Sequence, residues 1–348
     1  MVILMSEFDL KKYKIRTDLI VESINDKLEG IIKEEKQIGD IKISDIIVEN
    51  DIDEIGKKKG QYITISFDDI TDTSNRKKVE KVVVEYLNKV LKNNDINENS
   101  SALVIGLGNI KSTPDSLGPK VSYNIIVTRH LYSINEIKVE EGYRNVSSFA
   151  PGVMGNTGIE ARDIIFGLVK EIKPDFLIVV DALASSSIER VNKTIQITNT
   201  GISPGSGVGN SRSEISKESV GIPVIAVGIP TVVDAVTIVS DTFRYLLKKF
   251  SYNIENINNN SDKLKVSSNI NYLKKGTKEL SKEEKEQLLG FLGGLEEEEI
   301  HSLMHEVLTP IGYNMMVTPK EVDFVIEKLQ QVLSSSINKA LHKAMNIN

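Results

Sequence analysis

Two stretches decide the fold: Ala102–Pro119, ALVIGLGNIKSTPDSLGP, and Pro174–Ala184, PDFLIVVDALA. Each opens with a short apolar run of the kind that forms a buried parallel strand, and each carries an aspartate, Asp115 and Asp181, at the expected strand end. In open α/β sheets, ligands bind in the crevice beyond the carboxyl ends of the strands. Two carboxylates brought to one such crevice cannot both ionise cheaply. One pKa rises, and the pair can divide the work of base and acid.

Working outward, strand, loop and helix alternate. Ile41–Val48 and Tyr62–Phe67 read as strands around the charged turn Gly56–Gly60, GKKKG. Apolar residues at helical spacing (Val79, Val82, Val83, Tyr86, Leu87, Val90) predict a helix over Lys78–Leu91. Further helices are expected over Leu117–Leu131, from a Thr157/Glu160 capping box to about Lys173, over Val232–Phe250, from a Ser281/Glu284 capping box, and over Pro319–Met345. Thr194–Asn210 is rich in β-formers and turns, and Val224–Gly228 is a third buried strand. This order predicts a three-layer α/β/α sandwich with a mostly parallel sheet, an N-terminal β-containing segment and a helical C-terminal region. Ser251–Gly276 is rich in Asn, Ser and Lys and reads as a surface insert. The expected divisions are 1–18, a 19–250 core, a 251–280 insert and a helical 281–348 region.

Composition narrows the chemistry. The 348 residues are 40% hydrophobic and 26% charged, with a net charge of −6. An acidic surface argues against general binding to nucleic acid. No cysteine is present, which excludes disulfides, thiolate catalysis and cysteine-ligated metals. No stretch approaches the roughly 20 apolar residues of a membrane span, so a cytoplasmic protein is expected.

Several motifs compete with the aspartate pair. Ile105–Asn109, IGLGN, invites a dinucleotide reading, but the third glycine position of GxGxxG falls on Lys111 and no helix starts cleanly there. Gly106, Gly108 and Asn109 remain candidates for a tight turn or for a backbone nest facing an oxyanion. Asp115 and Asp181 could each be a helix cap. His301 and His305 are four apart on a predicted helix, but HSLMHE does not fit HExxH, and a packing role is the simpler reading. Gly201–Asn210, GISPGSGVGN, including Gly205 and Gly207, is a candidate substrate loop or oligomer contact, with Arg190 and Asn192 leading into it.

Seven blocks carry a resemblance: YKIRTDLIVE from Tyr13, IGLGNIKSTPDSLGPKV from Ile105, VTRHLY, APGVMGNTGIEA, VVDALASSSIERVNKTIQITNTGISPGSGVGNSR from Val179, GIPTVVDAVTI and GYNMMVTPKEVD. In this order they resemble the germination proteases of endospore-forming bacteria, relatives of the hydrogenase maturation peptidases. The resemblance implies an endopeptidase acting on small acid-soluble spore proteins in the spore core. It implies a zymogen that processes itself near Asp18–Leu19, a homotetramer, and catalytic aspartates matching Asp115 and Asp181. It implies no cofactor, and the metal-ligating histidine of the hydrogenase maturation relatives has no counterpart here. A metal-assisted peptidase using the same aspartates and a non-catalytic peptide-binding module are the alternatives.

Overall fold

The computed structural model describes residues 17–24, 28–53, 55–134, 139–205, 214–256, 278–308 and 315–346, without the side chains of 297 and 298. In chain order the elements are α1 (Ile20–Ser23), β1 (Ile31–Ile38), β2 (Ile41–Val48), β3 (Gly60–Ser66), α2 (Thr73–Asn93), β4 (Ala102–Gly106), α3 (Leu117–Tyr123), α4 (Arg129–Tyr132), β5 (Val146–Phe149), α5 (Met154–Thr157), α6 (Ala161–Ile172) and β6 (Phe176–Ser185). They continue with β7 (Thr194–Thr198), α7 (Lys217–Val220), β8 (Val224–Asp234), α8 (Ala235–Glu255), α9 (Lys282–Leu289), α10 (Glu297–Leu308), β9 (Met316–Val317) and α11 (Val322–Leu341).

The chain divides into two compact units, the larger on Arg16–Val232 and Thr318–Asn348, the smaller on Val233–Val317. The sheet of the larger unit runs β1-β2-β3-β7-β8-β6-β4-β5. It is mixed. β5, β4 and β6 run parallel, while β1, β2, β3, β7 and β8 are joined by antiparallel pairings. The expected layered α/β arrangement is therefore present. Its N-terminal strands are fused onto the same sheet through β3 and β7, so the parallel character is confined to the half that carries the aspartates.

Side-chain alternation along the strands builds two cores. Val104, Ile178, Val180, Ile195 and Ile197 face α2, α3 and α11, with Val83, Leu87, Val121, Leu329 and Leu333. Leu103, Ile105, Leu177 and Val179 face Ala161 and Ile165 of α6. A third, smaller cluster gathers Ile20, Ile46, Val48 and Tyr62, where α1 covers the N-terminal strands. In the smaller unit, Val233 and Asp234 at the end of β8 pair with Val317 and Met316 of β9.

Several boundaries move for tertiary reasons. The helix expected to reach Leu131 stops at Tyr123, because Asn338 of α11 captures the chain beyond it. Its Oδ1 accepts the Ile126 N–H at 2.9 Å and its Nδ2 donates to the Asn124 carbonyl at 3.0 Å. The Thr157/Glu160 capping box is absent. Glu160 is the N-cap without a side-chain bond, and the Thr157 hydroxyl donates to the Ile159 carbonyl instead. α8 begins at Ala235 rather than Val232, since β8 extends to Asp234, whose carboxylate caps the helix by accepting the Thr237 N–H at 2.6 Å. α11 begins at Val322 rather than Pro319 and ends at Leu341, and the Thr318 hydroxyl donates to the Thr231 carbonyl at 2.9 Å. The Ser281/Glu284 capping box forms as expected. β1, IIKEEKQI, gave no strand signal because its middle six residues are exposed on an edge. Of the Asn-rich insert, positions 257–277 lie outside the described residues.

Candidate active site

Asp115 ends a short 3-10 turn, Thr113–Asp115, that packs against β6. It is not a helix cap. α3 starts at Leu117 with Ser116 as its N-cap, and the Asp115 carboxylate turns back to the glycine loop. There Oδ2 accepts the Asn109 N–H at 2.9 Å, and the Asp115 carbonyl oxygen shares that N–H at 3.0 Å. Gly108 makes this possible. Its φ is +114°, and a Cβ there would lie 2.1 Å from the Asp115 carbonyl oxygen and 2.9 Å from Oδ1. Gly106 and Gly118 allow the next layer of approach, since a Cβ on Gly118 would lie 2.5 Å from the Val180 carbonyl.

Asp181 follows Val180 on β6 and is buried, 6% exposed. The expectation that the strand stops at Asp181 is corrected, because β6 continues to Ser185. β4 ends at Gly106, and the Leu107 N–H makes its bond to the Val180 carbonyl at 2.8 Å. Residues 181–185 therefore run on beyond their β4 partner. Asp181 is likewise no helix cap, and its Oδ1 accepts the Ala182 N–H at 2.9 Å. The fold thus brings both aspartates to the region where β4 and β6 part, the one on a turn packed against the strand of the other.

Of the loop residues considered as oxyanion donors, Asn109 has its amide already bonded within the protein, as does the neighbouring Leu107. The Asn109 side chain accepts from the Lys111 N–H at 3.1 Å and from Asn156 Nδ2 of α5 at 3.3 Å, which ties APGVMGNTGIEA to the rim of this loop. Gly205 lies in a turn beyond the Ile202–Ile215 pairing, and Gly207 lies outside the described residues. His301 is in the smaller unit, 7% exposed, with Nε2 lacking a hydrogen bond. Burial pushes its pKa down, against the pull of Asp234. Among the described residues no group of three or more His, Cys, Asp or Glu could hold a metal ion.

The segment around Asp18 and Leu19 lies against the same strand. The Asp18 N–H donates to the Ala184 carbonyl at 3.1 Å, and the Ala184 N–H donates to Asp18 Oδ2 at 2.8 Å. The Asp18 carbonyl oxygen accepts from Lys57 Nζ at 2.9 Å and from Gln196 Nε2 at 3.0 Å. The Ile20 N–H donates to Gln196 Oε1 at 2.8 Å. Leu19 and Ile20 are fully buried. Glu22 closes the grip. Its carboxylate accepts from Thr17, from the Ser185 hydroxyl at 2.6 Å and from the Ser186 N–H at 2.8 Å, and pairs with Arg190 at 3.3 Å. Burial lowers the Lys57 pKa, and the Asp18 and Glu22 carboxylates pull it partly back up.

Lys57, Gln196 and Glu22 are not legible as site residues in the sequence. Nothing in GKKKG distinguishes Lys57 from its neighbours. Gln196 left one signal. In TIQIT, Thr194, Gln196 and Thr198 alternate with core-facing Ile195 and Ile197, and a buried polar face requires partners.

Comparison with known proteins defines the class as a peptidase. The chain belongs to the germination protease family, whose profile matches residues 10–348. It is 48% identical to the germination protease of Priestia megaterium over 97% of this chain and 96% of that protein. It is 45% identical to that of Bacillus subtilis over 98% and 97%. Among solved structures, a [NiFe] hydrogenase maturation protease, HycI, from Thermococcus kodakarensis KOD1 aligns at 18% identity and a TM-score of 0.28, covering 42% of this chain and 80% of that one. So distant a likeness carries no argument about the site.

Proposed function

We propose that this chain is the self-processing precursor of an endopeptidase that degrades small acid-soluble spore proteins at germination, with Asp115 and Asp181 as its catalytic pair. The observation that carries the reading is that Asp115 sits on a turn packed against β6, the strand of Asp181, near where β4 and β6 part, with neither carboxylate used as a helix cap. Family membership supports the peptidase activity, and the Asp18 segment paired to Ala184 on β6 supports self-processing at Asp18–Leu19.

In this mechanism one carboxylate is ionised and takes a proton from water as the water attacks the peptide carbonyl carbon. The other is protonated and gives its proton to the departing amine. The pair ends with its proton exchanged between partners and needs no cofactor. The resemblance extends the proposal to a homotetramer in the spore core.

Asp115→Asn and Asp181→Asn test the pair. Each is expected to abolish the appearance of a Leu19 N-terminus, followed by intact mass, and the cutting of a recombinant spore protein, while circular dichroism remains that of the parent. A folded variant that processes at the parent's rate rejects the pair.

A further inference from the structure

The oxygen that takes up charge when a peptide bond is attacked is the carbonyl oxygen on the acyl side, and the Asn109 amide, one of those first considered for that role, is bonded within its own loop. The Asp18 carbonyl has two side-chain donors in its place. Lys57 Nζ stands 2.9 Å away and Gln196 Nε2 3.0 Å away, both within hydrogen-bond range.

Both donors are held rigidly. Lys57 sits in the pairing of Ile52 with Lys57, where the Ile52 N–H donates to the Lys57 carbonyl at 2.8 Å and the Lys57 N–H returns to the Ile52 carbonyl at 3.2 Å. Gln196 lies within β7, between β3 and β8, and its amide orientation is set by the Ile20 N–H, which requires Oε1 on that side and leaves Nε2 toward Asp18. On the amine side of the same peptide, the Leu19 N–H donates to Thr17 Oγ1 at 3.0 Å. One peptide bond thus has its carbonyl oxygen and its N–H each fixed by side chains.

We infer that Lys57 and Gln196 form the oxyanion cradle for hydrolysis of the Asp18–Leu19 bond, a role that rests on the processing reading above. Attack by water forms a bond to the Asp18 carbonyl carbon, and the carbonyl π pair moves onto the oxygen between Lys57 and Gln196. Collapse re-forms the carbonyl and breaks the bond to the Leu19 nitrogen; the water's proton goes to the ionised aspartate of the pair, the leaving nitrogen takes one from its protonated partner, and a carboxyl group on Asp18 and an amine on Leu19 result. Lys57 keeps its proton throughout. Fixed donors in a water-poor site act on this charge without reorganising, and loss of one such donor typically costs about 10²–10³ in rate.

The test uses the full chain and follows the Leu19 N-terminus by intact mass. Lys57→Met removes one donor. Gln196→Glu removes the other and keeps an acceptor for the Ile20 N–H. Lys57→Arg restores a cation. The expected result is a fall of about 100-fold or more for Lys57→Met and Gln196→Glu, partial recovery for Lys57→Arg, and hydrogen-exchange protection of residues 17–24 unchanged. That last readout separates a cradle from an anchor, since an anchor variant would release the segment. If Lys57→Met lowers the melting temperature markedly, the rate of Gln196→Glu decides the matter. A parent that processes at Leu19 while both variants match or exceed its rate overturns the cradle and leaves the processing reading standing. A parent that yields no Leu19 N-terminus overturns both.

Discussion

Gly108 shows how narrowly the candidate site is defined at the level of single residues. At φ +114° any side chain is strained, and here the missing Cβ is also the space into which the Asp115 backbone and carboxylate fit. Gly108→Ala is therefore expected to cost about 1–3 kcal/mol from backbone strain alone. It should also push Asp115 off the Asn109 N–H. The expected outcome is a melting temperature lowered by several degrees and processing slowed at least about tenfold, beyond what the fraction unfolded explains. A variant with normal kinetics would mean that the loop does not set the position of Asp115. Lys57 is the reverse case. It is one of three consecutive lysines, and only the turn from Ile52 to Lys57 draws that ammonium inward while Lys58 pairs with Glu214.

Among the elements, the short α1 and its lead-in are held by far more polar contacts than four helical residues require. Glu22 alone receives Thr17, Ser185, Ser186 and Arg190 on a side chain only 5% exposed. An ionised carboxylate accepts all of these, whereas an amide must turn one donor toward other donors. Glu22→Gln is expected to weaken the docking of residues 17–24 by roughly 1.5–3 kcal/mol, the range for charged hydrogen bonds. Hydrogen exchange should show faster opening confined to that segment, with α2 and α11 unchanged. Uniform loss of protection would mean that Glu22 supports the whole fold rather than the segment. The helices that did follow their sequence pattern, such as α2 with its Asp72 cap, are those whose ends are settled locally. Those that did not, α3 and α6, end where a side chain of another element or a competing local bond takes over.

Across the larger unit, the C-terminal helix ties distant parts of the chain together. α11 packs on α2 and α3, and His342 just beyond it is fully buried. His342 Nδ1 accepts the Arg144 N–H at 3.2 Å, which leaves Nε2 to donate to the Ile126 carbonyl at 3.0 Å. That arrangement needs the neutral ring, and burial lowers the pKa below 6.5. With the folded pKa below the unfolded one, His342 costs nothing above the unfolded value. Stability falls as pH drops from there through the folded value. Melting temperatures measured from pH 7.5 to 5 should therefore decline, and His342→Gln should flatten that slope while lowering stability at pH 7.5. An unchanged slope would assign the acid sensitivity to other groups. At this scale the sequence by itself determined the alternating strand and helix order, the two aspartates after apolar runs, the family and the absence of thiol chemistry, because apolar periodicity and residue type are local properties. Only the tertiary structure decided that β1 and β5 exist as edge strands, that the N-terminal half of the sheet is antiparallel, that β6 runs past Asp181, and that Lys57, Gln196 and Glu22 meet at one peptide bond. Each of these depends on partners far apart in the chain. A polar side chain carries no local mark of the distant carbonyl or carboxylate that will satisfy it once buried.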